Sequence, residues 1–227
     1  MHVIVVTGTG TNVGKTVLTT LFVRHLKARG MTVAAFKPLC SGERSDALNL
    51  AKALGSVPVD IINPWYFRHP LAPAIAARLA GCSLCIHEIA THVRIHTGTA
   101  AVTLVEAAGG LLSPLASDGD APELIKALKA YPVLVSVNRL GVIHDVRSAL
   151  ANAALKRKGG APVLLMAPLQ RDSSYQHNLN FLRDELGEDR LFHFPRVSTS
   201  TLSGRIPVRF EKELDRLLTS LKVKLAQ

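Results

Sequence analysis

The chain is poor in several features that would each mark a class of protein. It has three cysteines, Cys40, Cys82 and Cys85, an odd number, and its N-terminus has no basic segment before the first apolar run. That run is too short for a secretion leader, so a disulfide framework is not expected. Cys82 and Cys85 stand two residues apart in "GCSLC", but a zinc site needs two more ligands and none follows closely. They read as small residues buried at the start of a helix. No run of about 18 uncharged apolar residues occurs, as a spanning helix would need. Internal repeats, low-complexity tracts and long linkers are absent too, which leaves a single domain over residues 1–227 as the expectation. Acids are also few, 17 against 27 Lys and Arg, for a net charge of +10. Such a balance suits nucleic acid or an anionic ligand such as ATP. The bases are scattered, however. Their densest cluster, Lys156-Arg157-Lys158, falls where a helix is expected to end and where cations answer its dipole. Nucleic acid is therefore not expected as a partner, nor is a membrane; the expectation is a soluble cytoplasmic protein.

What the sequence does have is enough apolar material for a core: 48% of its 227 residues are hydrophobic. Short β-rich runs alternate with helical stretches. The expected strands are His2–Thr7, Thr32–Phe36, Ala101–Glu106, Val133–Val137 and Val163–Met166, with a weaker one at Leu191–Phe194. Several are continuously apolar, as parallel strands buried on both faces are. Helices are expected at Lys15–Arg29, Asp46–Leu54, Pro122–Ala130, Val142–Arg157, His177–Leu186 and Val208–Lys224, with Asp120 as the cap of the third. The sum is a doubly wound, mostly parallel α/β fold with helices on both faces. "NPWYFRHPLAP" (Asn63–Pro73) reads as a proline-punctuated connection.

The first strand runs into "TGTGTNVGKT" (Thr7–Thr16). This stretch misses the G-x-x-x-x-G-K-[ST] triphosphate loop and the G-x-G-x-x-G dinucleotide fingerprint by one residue each. Lys15-Thr16 decides between them. It supplies a cation for β/γ-phosphates and a hydroxyl for Mg²⁺, which a dinucleotide loop does not need. The dinucleotide loop also wants an acid at the end of strand two, where this chain has Phe36-Lys37. Phosphoryl transfer further needs carboxylates and charge-neutralising groups. Glu106 ends its strand at the carboxyl edge, and Asp46 follows strand two by a short loop. Asp46 also has a plain reading as the first-turn acid of its helix, with Ser45 as cap. Lys37 either neutralises an anion at the same edge or is a solvated strand-end lysine. Cys40, with no adjacent histidine, is not read as a nucleophile. In "HEIATH" the histidines His87 and His92 are five apart, on different faces of a helix, and His92 and His96 read as surface residues.

Assembled, these segments resemble the dethiobiotin synthetase family, over residues 1 to about 150. "TGTGTNVGKT" is similar to that family's variant loop. "KPLCSG" with "SDA", "INPWYFRHPLAP", "VEAAGGLLSPL" and "NRLGVIHD" resemble its further motifs. The resemblance implies a P-loop ATP-dependent ligase of biotin biosynthesis acting on 7,8-diaminopelargonic acid. One amine takes up CO₂ as a carbamate, the carbamate attacks the γ-phosphorus of ATP, and the second amine closes the ureido ring of dethiobiotin as phosphate leaves. It implies catalytic roles for Lys37, Lys15 and Ser41. Nucleotide binding would fall to Gly8, Thr11, Asn12, Val13, Gly14, Lys15, Thr16 and Val17, with Pro195, Arg196 and Val197 at the base. Mg²⁺ would sit on Thr16, Asp46 and Glu106. Substrate would meet Lys37, Ser41, Gly109, Gly110, Leu111, Leu112 and Pro114, partly across a homodimer interface. The chain departs from the family at Asn12, where glutamate or glycine is usual, and at Ala107, which replaces a glycine. It departs again at Ala167-Pro168, where an asparagine would read adenine. A related P-loop ligase or kinase with another amine or acid substrate, or a non-catalytic nucleotide-binding relative, stays open on the residues alone.

Overall fold

A computed structural model of the chain describes residues 2–55, 57–197, 202 and 204–223. Its centre is a parallel sheet of six strands: β1 (His2–Gly8), β2 (Val33–Phe36), β5 (Val102–Glu106), β6 (Tyr131–Val137), β7 (Val163–Met166) and β8 (Leu191–Phe194). They lie in the order β2-β5-β1-β6-β7-β8. β1 is thus central, flanked by β5 in the register Val6 to Glu106 and by β6 in the register Gly8 to Val135. β2 and β5 lie on one side of β1 and β6, β7 and β8 on the other, so ligand space opens at the carboxyl ends beside β1.

The continuous apolar runs follow from burial on both faces. Ile4 and Val6 point to one core, with the helices α1 (Lys15–Ala28), α2 (Ser45–Leu54) and α9 (Val208–Ser220). Val5 points to the other, with α4 (Pro73–Leu79), α5 (Ile86–Thr97), α6 (Ala121–Ala127), α7 (Val142–Leu150) and α8 (Tyr175–Leu186). A strand's alternation is invisible in composition when both faces are apolar.

Several expectations need correction. The 63–73 connection carries a strand, β4 (Trp65–Phe67), which pairs in parallel with β3 (Leu39–Ser41); α3 (Val59–Ile62) precedes it and Pro73 opens α4. The helix expected over Val142–Arg157 stops at Leu150. A 3₁₀ stretch follows at Ala153–Gly159, in which Arg157 and Lys158 leave helical backbone, with Lys158 at φ 55°. The basic triplet therefore does not cap an α-helix. Cys82 is exposed and Cys85 half-buried as the N-cap of α5, so neither is a core residue. Of the histidines expected at the surface, His92 is half-buried against Trp65 and Phe36, with its Nε2 2.7 Å from the Ile61 carbonyl oxygen. Arg44 rather than Ser45 caps α2. The Asp120 cap stands, completed by Glu123. Lys224, the expected last residue of α9, lies outside the described residues.

Candidate active site

Three segments meet at the carboxyl edge beside β1. The first is the loop from Gly8 into α1. Gly14 caps that helix at φ 99°, and a Cβ there would lie 2.9 Å from Met166 Cγ, so only glycine fits. Asn12 is left-handed too, at φ 59°. Asparagine is among the few side chains that occupy this region at modest cost, so this departure from the family pattern suits the local backbone. Lys15 Nζ donates to the Gly10 carbonyl at 2.7 Å. Its burial, and then the like charge of Lys37, lower its pKa to about 8 against partial relief from Glu106 and Asp46. A buried ammonium at the N-terminus of a 14-residue helix invites an anion.

The second and third segments are the ends of β2 and β5. Lys37 Nζ donates to Glu106 Oε1 at 2.6 Å and stands 3.3 Å from Asp46 Oδ2. Burial alone would lower the Lys37 pKa; the two carboxylates outweigh it and leave the pKa raised, so Lys37 is a fixed cation. Thr16 Oγ1 donates to the same Glu106 Oε1, also at 2.6 Å. Glu106 is buried, and its Oε2 has no hydrogen-bond partner. A buried carboxylate oxygen left bare is costly. That oxygen, the Thr16 hydroxyl and the half-exposed Asp46 carboxylate form an all-oxygen donor set beside a phosphate cradle. Such a set fits Mg²⁺, which takes one or two carboxylates together with phosphates and water.

These groups line one cavity of about 500 Å³. Of the residues expected from sequence, Thr11, Asn12, Gly14, Lys15, Thr16, Val17, Lys37, Ser41, Asp46, Glu106 and Gly109 line it. Ser41 Oγ is a second buried polar atom without a partner. Gly8 and Val13 lie beneath, Val13 packing where a Cβ on Gly8 would go. The glycine pair is wedged tightly: Gly109 has φ 67° and faces Ser113, and Gly110 backs onto the Thr9 carbonyl. Ala107 is not among the residues with positive φ, and its N–H donates to the Val6 carbonyl, so it fits where a glycine was expected. Leu111 is buried in the core, whereas Leu112 and Pro114 are exposed. None of these three, nor Gly110, lines this cavity. Pro195, Arg196 and Val197 follow β8 at the same sheet edge but outside it. Sequence reasoning missed a wall of the cavity, Pro70–Pro73, and the lining by Leu39, Cys40, Glu43, Ala108 and Ser113. The paired prolines around Leu71 were the available signal for the wall. Burial raises the Cys40 thiol to about 11, so it stays protonated.

The comparisons with known proteins bear on this geometry. A family model described as an AAA domain matches residues 2–201. A curated protein of Anaeromyxobacter sp. (strain Fw109-5), named ATP-dependent dethiobiotin synthetase, is 37% identical over 223 residues, covering 91% of this chain and 99% of its own length. The chain belongs to the dethiobiotin synthetase family. A second such relative, from Anaeromyxobacter dehalogenans (strain 2CP-C), is 40% identical over 70% of this chain and 73% of that protein. Among solved structures, a putative plasmid partition protein from Borrelia burgdorferi bound to AMPPNP aligns with a TM-score of 0.57 over 97% of this chain and 98% of that one, at 9% identity. The pNOB8 ParA structure gives 0.53 over 97% and 98%, at 12% identity. These two likenesses concern the fold alone.

At the edge beyond β7, Ala167-Pro168 stands where the family resemblance led to the expectation of an asparagine. Ala167 follows the strand and its N–H donates to the Phe194 carbonyl. The side-chain amides nearby are occupied with each other. Asn138 Nδ2 donates to the Tyr175 carbonyl, and Asn178 Nδ2 donates to Asn138 Oδ1, the Arg139 carbonyl and Ser174 Oγ. Asn138 and Asn178 are both buried. No helix among the described residues is long and apolar enough to cross a membrane.

Proposed function

We propose that this chain is an ATP-dependent ligase that carboxylates 7,8-diaminopelargonic acid and closes the ureido ring of dethiobiotin. The observation that carries this reading is the shared Glu106 Oε1. Both the Lys37 ammonium and the Thr16 hydroxyl lie 2.6 Å from it, while Oε2 is left open beside the phosphate loop. A protein that only sensed nucleotide would have little need for a second buried cation on this carboxylate.

The geometry supports the following roles. Backbone N–H groups of the loop and the α1 N-terminus hold the β- and γ-phosphates. Lys15 releases the Gly10 carbonyl and turns to them, and the incoming charge favours its protonated form. Lys37, held by Glu106 and Asp46, meets the oxygens over which charge spreads as the carbamate attacks the γ-phosphorus, its bond to the β-phosphate breaks and ADP leaves. Ser41, with its hydroxyl unpartnered, orients the carbamate. The second amine then attacks the carbamoyl carbon, and inorganic phosphate carries away the oxygen that joined the two. Thr16, Asp46 and Glu106 would hold Mg²⁺, whose contribution when bound is to neutralise the β/γ-phosphate charge. The site works as one copy of a homodimer in the cytoplasm, with the Gly109–Pro114 segment meeting the diamine near the second copy.

The test is to supply purified protein with ATP, Mg²⁺, bicarbonate and the diamine, and to measure phosphate and ureido product together. Equal yields of both, dependent on the diamine, support the reading. Diamine-independent phosphate release would point to a different P-loop ligase or kinase. Tight ATP binding without turnover would point to a regulatory relative.

A further inference from the structure

We infer that Asn63, which lies outside the cavity and touches neither phosphate loop nor carboxylates, is the positioning residue that sets Lys37 and Asp46 in register. The inference deepens the proposed function, since it assigns the support of the cation that reading relies on.

Lys37 stands where the chain leaves the sheet. β2 ends at Phe36, β3 begins at Leu39, and between them Lys37-Pro38 belongs to no strand. Backbone groups there have no ladder partner, yet they are buried and must be satisfied. α3 and the residue after it do this. The Lys37 N–H donates to the Ile62 carbonyl at 3.0 Å. The Asn63 side-chain Nδ2 donates to the Lys37 carbonyl at 2.9 Å and the Pro38 carbonyl at 3.1 Å, with a longer contact to the Trp65 carbonyl at 3.3 Å. Both backbone polar groups of Lys37 are thereby gripped by two consecutive residues, 62 and 63. Asn63 is fully buried, and proline at 38 leaves that position without an N–H in need of an acceptor.

The amide cannot turn around, because its oxygen is also engaged. Arg44 Nε donates to Asn63 Oδ1 at 2.8 Å, and Arg44 Nη2 donates to the Asn63 carbonyl at 2.7 Å and to Asp60 Oδ1 at 2.6 Å. The Arg44 guanidinium also lies over the Tyr66 ring. Arg44 is the N-cap residue of α2, two residues before Asp46. One amide therefore joins the backbone that carries the catalytic lysine to the helix start that carries its carboxylate, Asp46, 3.3 Å from Lys37 Nζ. Only a group with donors on one side and an acceptor on the other does this.

Asn63→Asp is the informative variant. It keeps shape and the Arg44 contact, but replaces the donors facing the Lys37 and Pro38 carbonyls with an oxygen. Two readouts apply. Native-state acylation with an amine-reactive ester, followed by peptide mass spectrometry, reports how protected Lys37 is. We expect its labelling to rise about tenfold while that of Lys15, equally buried on the other loop, stays unchanged; a merely structural defect would expose both. In steady-state assays kcat is expected to fall about tenfold or more, with the KM for ATP within about twofold, since small misplacements of a reacting group are costly. In a Lys37→Ala background the same substitution should cost much less turnover than in the wild type, since only its effect through Asp46 remains. Unchanged Lys37 labelling, parallel labelling of Lys15, or a full additional loss in the Lys37→Ala background would each overturn the assignment. Wild-type protein without ureido product would sink the proposed function alone, because the labelling arm still decides the role of Asn63.

Discussion

The two ends of the ligand-binding edge are built on opposite plans. At the phosphate end, beside β1, β2 and β5, buried polar side chains lean on one another, and the cavity-lining Glu106 and Ser41 each keep one oxygen, Oε2 and Oγ, without a partner. At the other end, beyond β6 and β7, the buried amides of Asn138 and Asn178 are bound to each other and to neighbouring backbone and hydroxyl groups, and Ala167-Pro168 comes directly after β7. The first end keeps polar capacity in reserve for charge; the second has used its capacity within the protein. Recognition should therefore be stringent for phosphate and metal and lax for the base.

The largest effect should come from breaking the shared carboxylate. Glu106→Gln leaves the Lys37 ammonium buried with only Asp46, and removing one member of a buried pair typically costs about 3–5 kcal/mol. Turnover should fall by about a thousandfold or more, with a lower Tm by calorimetry, as the partner of the cation and the metal-side carboxylate are lost together. A variant with near-normal turnover would mean that the end beside β1 is not the reacting end. Next in size, Lys37→Ala should reduce kcat by about 10²–10³-fold while leaving ATP affinity by calorimetry nearly intact. Equal losses of both would make Lys37 a nucleotide-holding residue instead.

How much of this was legible beforehand obeys the same division. Lys15, Thr16, Lys37, Asp46 and Glu106 were readable because local spacing places each at a strand end or helix start, and parallel topology brings such ends to one edge. Asn63 was not readable, because its role depends on α3 folding back onto Lys37, a contact between positions 26 apart in sequence. β3, β4, α3 and α4 escaped for a related reason: the strands are three residues each, and the two helices are short and each begins at or just after a proline. The helix expected to run to Arg157 failed because Asn152 accepts a hydrogen bond from the Ala154 N–H and caps a new, tighter turn.

Smaller effects sharpen the contrast from the base end. Turnover with CTP or GTP in place of ATP should stay within about tenfold of that with ATP, since a missing specific hydrogen bond, rather than a clash, separates the bases. Strict use of ATP would show that another group reads adenine. Smaller still is the pH response near β8. Burial first, then Arg171 and Arg183, hold the His193 imidazole below its ordinary pKa, with the Tyr175 hydroxyl 2.6 Å from Nε2. The unfolded chain takes up a proton as pH falls through about 6.5, where the folded chain does not. Stability should therefore decline from about pH 6.5 downward, until the lowered folded pKa is passed. Urea titrations of His193→Gln should show a shallower acid slope and unaltered turnover at neutral pH; an unchanged slope would remove His193 from the account.

The central claim is that the lysines and the shared carboxylate serve attack of a carbamate oxygen on the γ-phosphorus of ATP. Freshly added ¹⁸O-bicarbonate, with the diamine and ATP, tests this through the mass of the phosphate released. One bicarbonate-derived ¹⁸O is expected in each phosphate, in step with ureido product. Phosphate without label would contradict it, since phosphoryl transfer would then have gone to water or to an amine.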